Sequence, residues 1–239
     1  MNDPRVITFK ELRKAVGWLG ILLPFVLSIG LYVFTSCSIQ DSISQYYYTR
    51  MGSYLTGTLC AVGLFLIAYK GYPGENDGAW CNFAAVCAFG VAFIPMLLRK
   101  EDVCCPECIV FFTSGATWFR FMHFVSAAAL FLTMAYLCYF KFTKTNKDYI
   151  IKGGRKYNRN RLYRICGITI FFCIILLAGY NLIKHFNPEI GMRTITFFLE
   201  SVMLIAFGTA WLVKGEGVTF LNDNEIDEKS ISNELNNKD

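Results

Sequence analysis

Residues 165–183 read ICGITIFFCIILLAGYNLI, an apolar run with no charged side chain in it. A bilayer core asks for about 20 such residues per helix. The run shows no alternation of polar and apolar positions, so a helix fits it better than a barrel strand. In hydrocarbon every backbone amide must be satisfied inside the segment, which a helix does by itself. The same pattern recurs along the chain. Six spans are expected: Ala15–Phe34, Gly52–Tyr69, Trp80–Leu98, Phe119–Phe140, Ile165–Ile183 and Thr194–Val213. The third has Asn82 near its start and Pro95 near its end, where a proline would kink the last turn.

Composition agrees with this reading. Of 239 residues, 54% are hydrophobic and only 17% charged, against about a quarter in soluble domains. The mean hydropathy is +0.39. The charge is gathered into short blocks, which leaves the runs between them oily. The fold class expected is therefore all-α, a polytopic membrane helix bundle of six transmembrane helices. Residues 1–214 would form it, and residues 215–239, acidic and polar, would form a disordered tail. A secretory signal is a poor reading of the first span, whose apolar core is long and which no small-x-small cleavage site follows. "FTSC" ending at Cys37 only faintly matches a lipoprotein cleavage site.

Arginine and lysine collect in cytoplasmic loops. The amino terminus carries Arg5, Lys10, Arg13 and Lys14, and the stretch KFTKTNKDYIIKGGRKYNRNRLYR after the fourth span carries nine basic residues and one acid. Six spans place both on one side, with both termini inside the cell. The net charge of +5 is then explained by topology and by contact with anionic lipid headgroups, and no nucleic-acid partner is implied.

Three loops then face outward, and the first is DSISQYYYTR, residues 41–50. Asp41, Ser42, Ser44, Tyr47 and Arg50 bring a density of hydrogen-bonding groups that a plain connection does not require. Arg120, His123 and Ser126 sit in the outer half of the fourth span, and Glu200 in the outer half of the sixth. Ionisable groups inside spans are costly unless paired or hydrated, which makes them functional candidates. Spacings of three put Arg120, His123 and Ser126 on one helix face. These groups lie at one depth although their helices run in alternating directions. They are expected to line an outward-facing polar pocket capped by the 41–50 loop. Each also has a plainer role: the tyrosines as an interfacial belt, Asp41 or Ser42 as turn formers, Arg50 as a snorkelling helix end, Glu200 as a partner of Arg120 or His123 holding helices together, and His123 as a structural hydrogen-bond donor between helices.

Of ten cysteines, Cys37, Cys104, Cys105 and Cys108 fall on the outer side, where oxidising surroundings allow disulfides. Cys37 could join the first outer loop to the second, or Cys105 could pair with Cys108. Zinc sites of four thiolates usually show two separated pairs. One cluster, CCPEC, does not meet that, so no metal and no cofactor is expected.

The segments SISQYYYTRM, LCAVGLFLIAYKGY, HFVSAAALFLTMAYLCYF, RNRLYRICG and LESVMLIAFGTAWLVKGE together resemble a group of bacterial six-helix integral membrane proteins to which no reaction is assigned. More distantly, the helix count and the serine-rich first outer loop are similar to Frag1/DRAM-like proteins. The resemblance implies a bacterial plasma (inner) membrane location and the six-helix fold. The stretch from Leu97 to Trp118 departs from the group's pattern.

Four functions suit these residues. The leading one is binding of a lipid or small molecule in the outward pocket. The second is a non-enzymatic sensor, scaffold or partner subunit, with membrane lipids, further copies of the chain or another membrane protein as partners. The third is a small oligomeric transporter, although no inverted repeat or paired broken helix is visible. The fourth is an intramembrane lipid hydrolase with His123 as general base, although no nucleophile elbow is present. Whether the chain is an enzyme stays open at the level of sequence.

Overall fold

The structure is a computed structural model and describes residues 9–69, 76–96, 106–111, 117–144, 154–187, 194–218 and 221. Among the described residues all regular structure is helical. Six apolar helices occupy the six expected places: α1 (Phe9–Thr35), α2 (Gly52–Ala68), α3 (Asp77–Phe93), α4 (Thr117–Tyr136), α5 (Arg155–Phe186) and α6 (Ile195–Lys214). Among them α1, α5, α6 and α4, counted with a π turn at Leu137–Lys141, are long and apolar enough to cross a membrane. The other two, α2 and α3, are apolar but only 17 residues each.

Three boundaries differ from the sequence expectation, each for a local reason. α3 stops at Phe93 rather than at Leu98, and Pro95 lies beyond the helix instead of kinking it. The residue before a proline is pushed out of the helical region, and Ile94 has ψ 93°. α5 begins at Arg155, so part of the basic connection is helical. The start of the expected loose tail is packed. Lys10 pairs with Glu216 at 2.7 Å, Arg159 Nη1 donates to the Leu221 carbonyl at 3.3 Å, and Leu221 is buried. The rest of the tail lies outside the described residues.

α1 packs along α6 and also against α2. From there α2 packs on α3, α3 on α4, α4 on α5 and α5 on α6, so the helices close a ring. The α1–α6 seam depends on glycine. A Cβ at Gly17 would lie 2.7 Å from the Leu212 amide nitrogen, and one at Gly208 would run into the Gly17 carbonyl. Small residues let membrane helices approach to backbone contact in this way.

The outside of the ring is apolar. On α1, Leu23, Leu27 and Leu31 point inward, while Leu22, Phe25, Ile29 and Val33 are exposed; α5 exposes Ile168, Phe171, Phe172, Ile175 and Leu176. Soluble monomers seldom expose apolar patches on that scale, whereas a hydrocarbon surrounding makes them harmless. At one end of the ring Trp211, Phe142, Tyr163 and Leu137 form a buried layer. The 41–50 loop sits at the other end.

Candidate ligand pocket

The loop between α1 and α2 folds inward. Residues Ile43–Tyr48 form a 3₁₀ helix, here the loop helix, with Ser42 as N-cap. A hydroxyl at an N-cap satisfies an amide that the first turn leaves unpaired, and Ser42 Oγ accepts from Ser44 N–H at 3.2 Å. Gln45 Oε1 reaches back to accept from Asp41 N–H at 3.1 Å. The tyrosines are not a surface belt. Tyr46 and Tyr48 are fully buried and Tyr47 half-buried. Tyr46 Oη lies 3.4 Å from Ser28 Oγ on α1 and accepts from Gln40 N–H at 3.4 Å. Burial raises the Tyr46 phenol above its usual range, against smaller lowering effects of those two hydrogen bonds.

The loop is fastened to α6 by its backbone and by one carboxylate. Phe197 N–H, in the first turn of α6 and without an intrahelical acceptor, donates to the Asp41 carbonyl at 2.9 Å. Glu200 Oε2 accepts from Ser42 O–H at 2.9 Å and from Ile43 N–H at 2.6 Å. Glu200 therefore pairs with the loop, and neither Arg120 nor His123 is its partner. The Arg120 guanidinium stacks over Phe124 on its own helix, 5.8 Å from the ring centre.

His123 is buried on α4, and its Nδ1 lies 2.7 Å from the Ile94 carbonyl. A carbonyl only accepts, so Nδ1 carries the proton. α3 ends at Phe93, and Ile94, pushed out of the helical region ahead of Pro95, turns its carbonyl to His123. Tyr48 O–H plays the same part for the Met96 carbonyl. Ser126, one turn after His123, sits against Gly90, where a Cβ would come within 2.6 Å of its hydroxyl. Asp41 and Arg50 face other hollows: Asp41 beside Ser28, Tyr32 and Thr194, and Arg50 beside Phe34 and Glu107.

Under the loop helix lies a cavity of about 60 Å³, room for a few waters or the end of one hydrocarbon chain. Ser44, Tyr47, His123 and Glu200 line it together with Thr56. Its apolar walls reach Leu59, Leu130 and Leu204, near the middles of α2, α4 and α6. Of the residues singled out by sequence, Ser44, Tyr47, His123 and Glu200 meet here and Ser42 stands directly behind Glu200. Asp41, Arg50, Arg120 and Ser126 do not line the cavity. Sequence reasoning missed Thr56 and the roles of Gln40 and Tyr48. The reading of His123 as a structural hydrogen-bond donor pointed toward its contact with Ile94, without naming the acceptor.

Cys37 and Cys108 form a disulfide, with Cα atoms 6.1 Å apart, within the usual span for such a bond. It ties the loop after α1 to the segment after α3. The Val110 N–H to Tyr48 carbonyl bond, 2.8 Å, makes the same connection. Cys104 and Cys105 lie outside the described residues. Among the described residues no group of three or more His, Cys, Asp or Glu side chains could hold a metal.

A second polar cluster, at the far end of the ring, was not anticipated. Lys141 Nζ pairs with Asp77 at 3.1 Å, both buried. Arg13 lies over the Tyr69 ring and Lys214 over Phe142, each 5.3 Å from the ring centre.

Compared with protein-family models, with curated proteins and with solved structures, the chain finds no match.

Proposed function

We propose that this is an integral membrane protein with six spans and both termini in the cytoplasm, and that it binds an amphiphile in the cavity beneath the loop helix. The observation that carries the binding reading is the shape of that cavity: an apolar slot whose polar groups, Glu200, His123, Ser44 and Tyr47, all stand near its loop end. Such a slot suits a hydrocarbon chain with a polar head. The topology is supported by the Cys37–Cys108 disulfide, which belongs in an oxidising compartment. The gathering of Arg13, Lys141, Arg159 and Lys214 at the opposite end points the same way. At about 1.5 Å per residue, α2 and α3 rise about 26 Å. That is slightly under the hydrocarbon thickness of about 30 Å, a mismatch a bilayer absorbs by local thinning. A bacterial plasma membrane is what the sequence resemblance implies.

Binding is favoured over hydrolysis by the hydrogen bonding of His123. Among the described residues its one such partner is the Ile94 carbonyl, so no serine hydroxyl is poised against it. Transport is disfavoured by the aromatic layer around Trp211, which fills the end of the ring opposite the cavity.

The test is the lipid complement of the purified protein. Native mass spectrometry of the wild type should show retained amphiphile, and Leu59→Trp or Leu204→Trp, which fill the slot, should lose it while staying folded. An identical complement in wild type and both variants would refute the reading.

A further inference from the structure

The polar end of the cavity has a definite hydrogen-bonding sense. Among the described residues no lysine or arginine lines it. Among the described lining residues the one acid is Glu200, already holding two donors from the loop. His123 has its Nδ1 proton committed to Ile94, which leaves Nε2 with a lone pair. The Ser42 hydroxyl proton goes to Glu200, so in the 2.9 Å contact between Ser42 and Ser44 the donor is Ser44. Among the described residues the other acceptor near that proton is the Met96 thioether at 3.7 Å. In either arrangement Ser44 Oγ offers lone pairs. Tyr47 and Thr56 add hydroxyls, which both donate and accept, but no positive charge.

A guest head placed among these described groups therefore meets chiefly acceptors, the Glu200 carboxyl among them. A phosphate or carboxylate would stand beside Glu200 in apolar surroundings with no described cation between them, an arrangement whose desolvation and repulsion are not offset. Unpaired like charges of this kind are how a site rejects a competing ligand.

Building on the binding reading above, we propose that the cavity selects a single-chain amphiphile whose head donates hydrogen bonds and carries no negative charge, a hydroxyl or ammonium head, and that Glu200 is the residue that excludes anionic heads. One chain rather than two follows from the cavity's size of about 60 Å³.

The test uses the full-length protein in neutral detergent and a monoacylglycerol with a photoreactive diazirine in its chain. Crosslinking should map to Leu59, Leu130 or Leu204. Unlabelled monoacylglycerol and a long-chain amine should compete at concentrations about tenfold lower than a fatty acid or a lysophosphatidic acid of equal chain length, a gap worth about 1.4 kcal/mol. In Glu200→Gln the gap, read as the ratio of the competing concentrations within that variant, should close. Equal or stronger competition by the two anions in the wild type overturns the head-group proposal and leaves the binding reading standing. Crosslinking that misses the cavity residues, or that persists in Leu204→Trp, overturns both.

Discussion

Glu200 on α6 and Ser42 before the loop helix, 158 positions apart in the chain, are joined by a hydrogen bond of 2.9 Å. Through it a carboxylate on α6 holds the loop helix over the cavity. Glu200→Ala leaves the Ser42 hydroxyl and the Ile43 amide without their acceptor. A buried donor so abandoned costs about 1–3 kcal/mol. Glu200→Gln keeps one amide oxygen for Ile43 and should be the milder change. Thermal unfolding in detergent should rank wild type above Gln and Gln above Ala. The double variant Ser42→Ala/Glu200→Gln should fall short of the sum of its single effects, because the two residues share one interaction.

The disulfide closes a loop with a sequence separation of 71. By the chain-entropy relation this contributes up to about 4 kcal/mol, less whatever the native state stores against it. Reductant, Cys37→Ser and Cys108→Ser should each lower the midpoint by a similar amount, and reductant should have no further effect on either variant. An additional loss on reducing Cys37→Ser would assign the effect to another pair.

Asp77 and Lys141 form the buried ion pair at the other end of the ring. Removing one partner of such a pair strands a charge and costs about 3–5 kcal/mol, whereas replacing both with neutral groups is often close to neutral. Folded yield and midpoint should drop for Asp77→Asn and recover substantially in Asp77→Asn/Lys141→Met. Size-exclusion profiles and thermal melts read this directly.

Tyr46 ties stability to alkaline pH. Its phenol is held above the ordinary value by burial, so the unfolded chain gives up the proton first, near pH 10. Stability is complete below that pH and declines as pH rises through the higher folded value. Tyr46→Phe should flatten this alkaline limb while lowering stability modestly at neutral pH, where it loses the contacts to Ser28 and Gln40. An unchanged limb in the variant would place the titration elsewhere.

The α1–α6 seam should tolerate no side chain. Gly208→Val brings its Cβ against the Gly17 carbonyl and the Ile21 backbone, where flexible neighbours are not available to yield. Overpacking of a close-packed contact costs about 1–3 kcal/mol and occasionally more. The expected readout is a sharp fall in monodisperse protein. Gly57→Val, where nothing stands within 4 Å of the added Cβ, is the control.

The six apolar helices were legible because each is written in contiguous residues, and an apolar run is a local property. The clustering of Ser42, Ser44, Tyr47, His123 and Glu200 near one end followed from the same count, since the number of helices sets at which end of the bundle each residue between them stands. The partners of these groups were not legible. That Glu200 takes Ser42 and Ile43 rather than His123 depends on the loop folding inward as a 3₁₀ helix. That His123 takes Ile94 depends on where α3 stops relative to α4. Asp77 escaped notice because its value lies in Lys141, which packing alone brings to it. Depth in a membrane is counted along one chain, but hydrogen-bond pairing is decided by rotation and register between helices. Those depend on which side chains interdigitate, and no single helix carries that information.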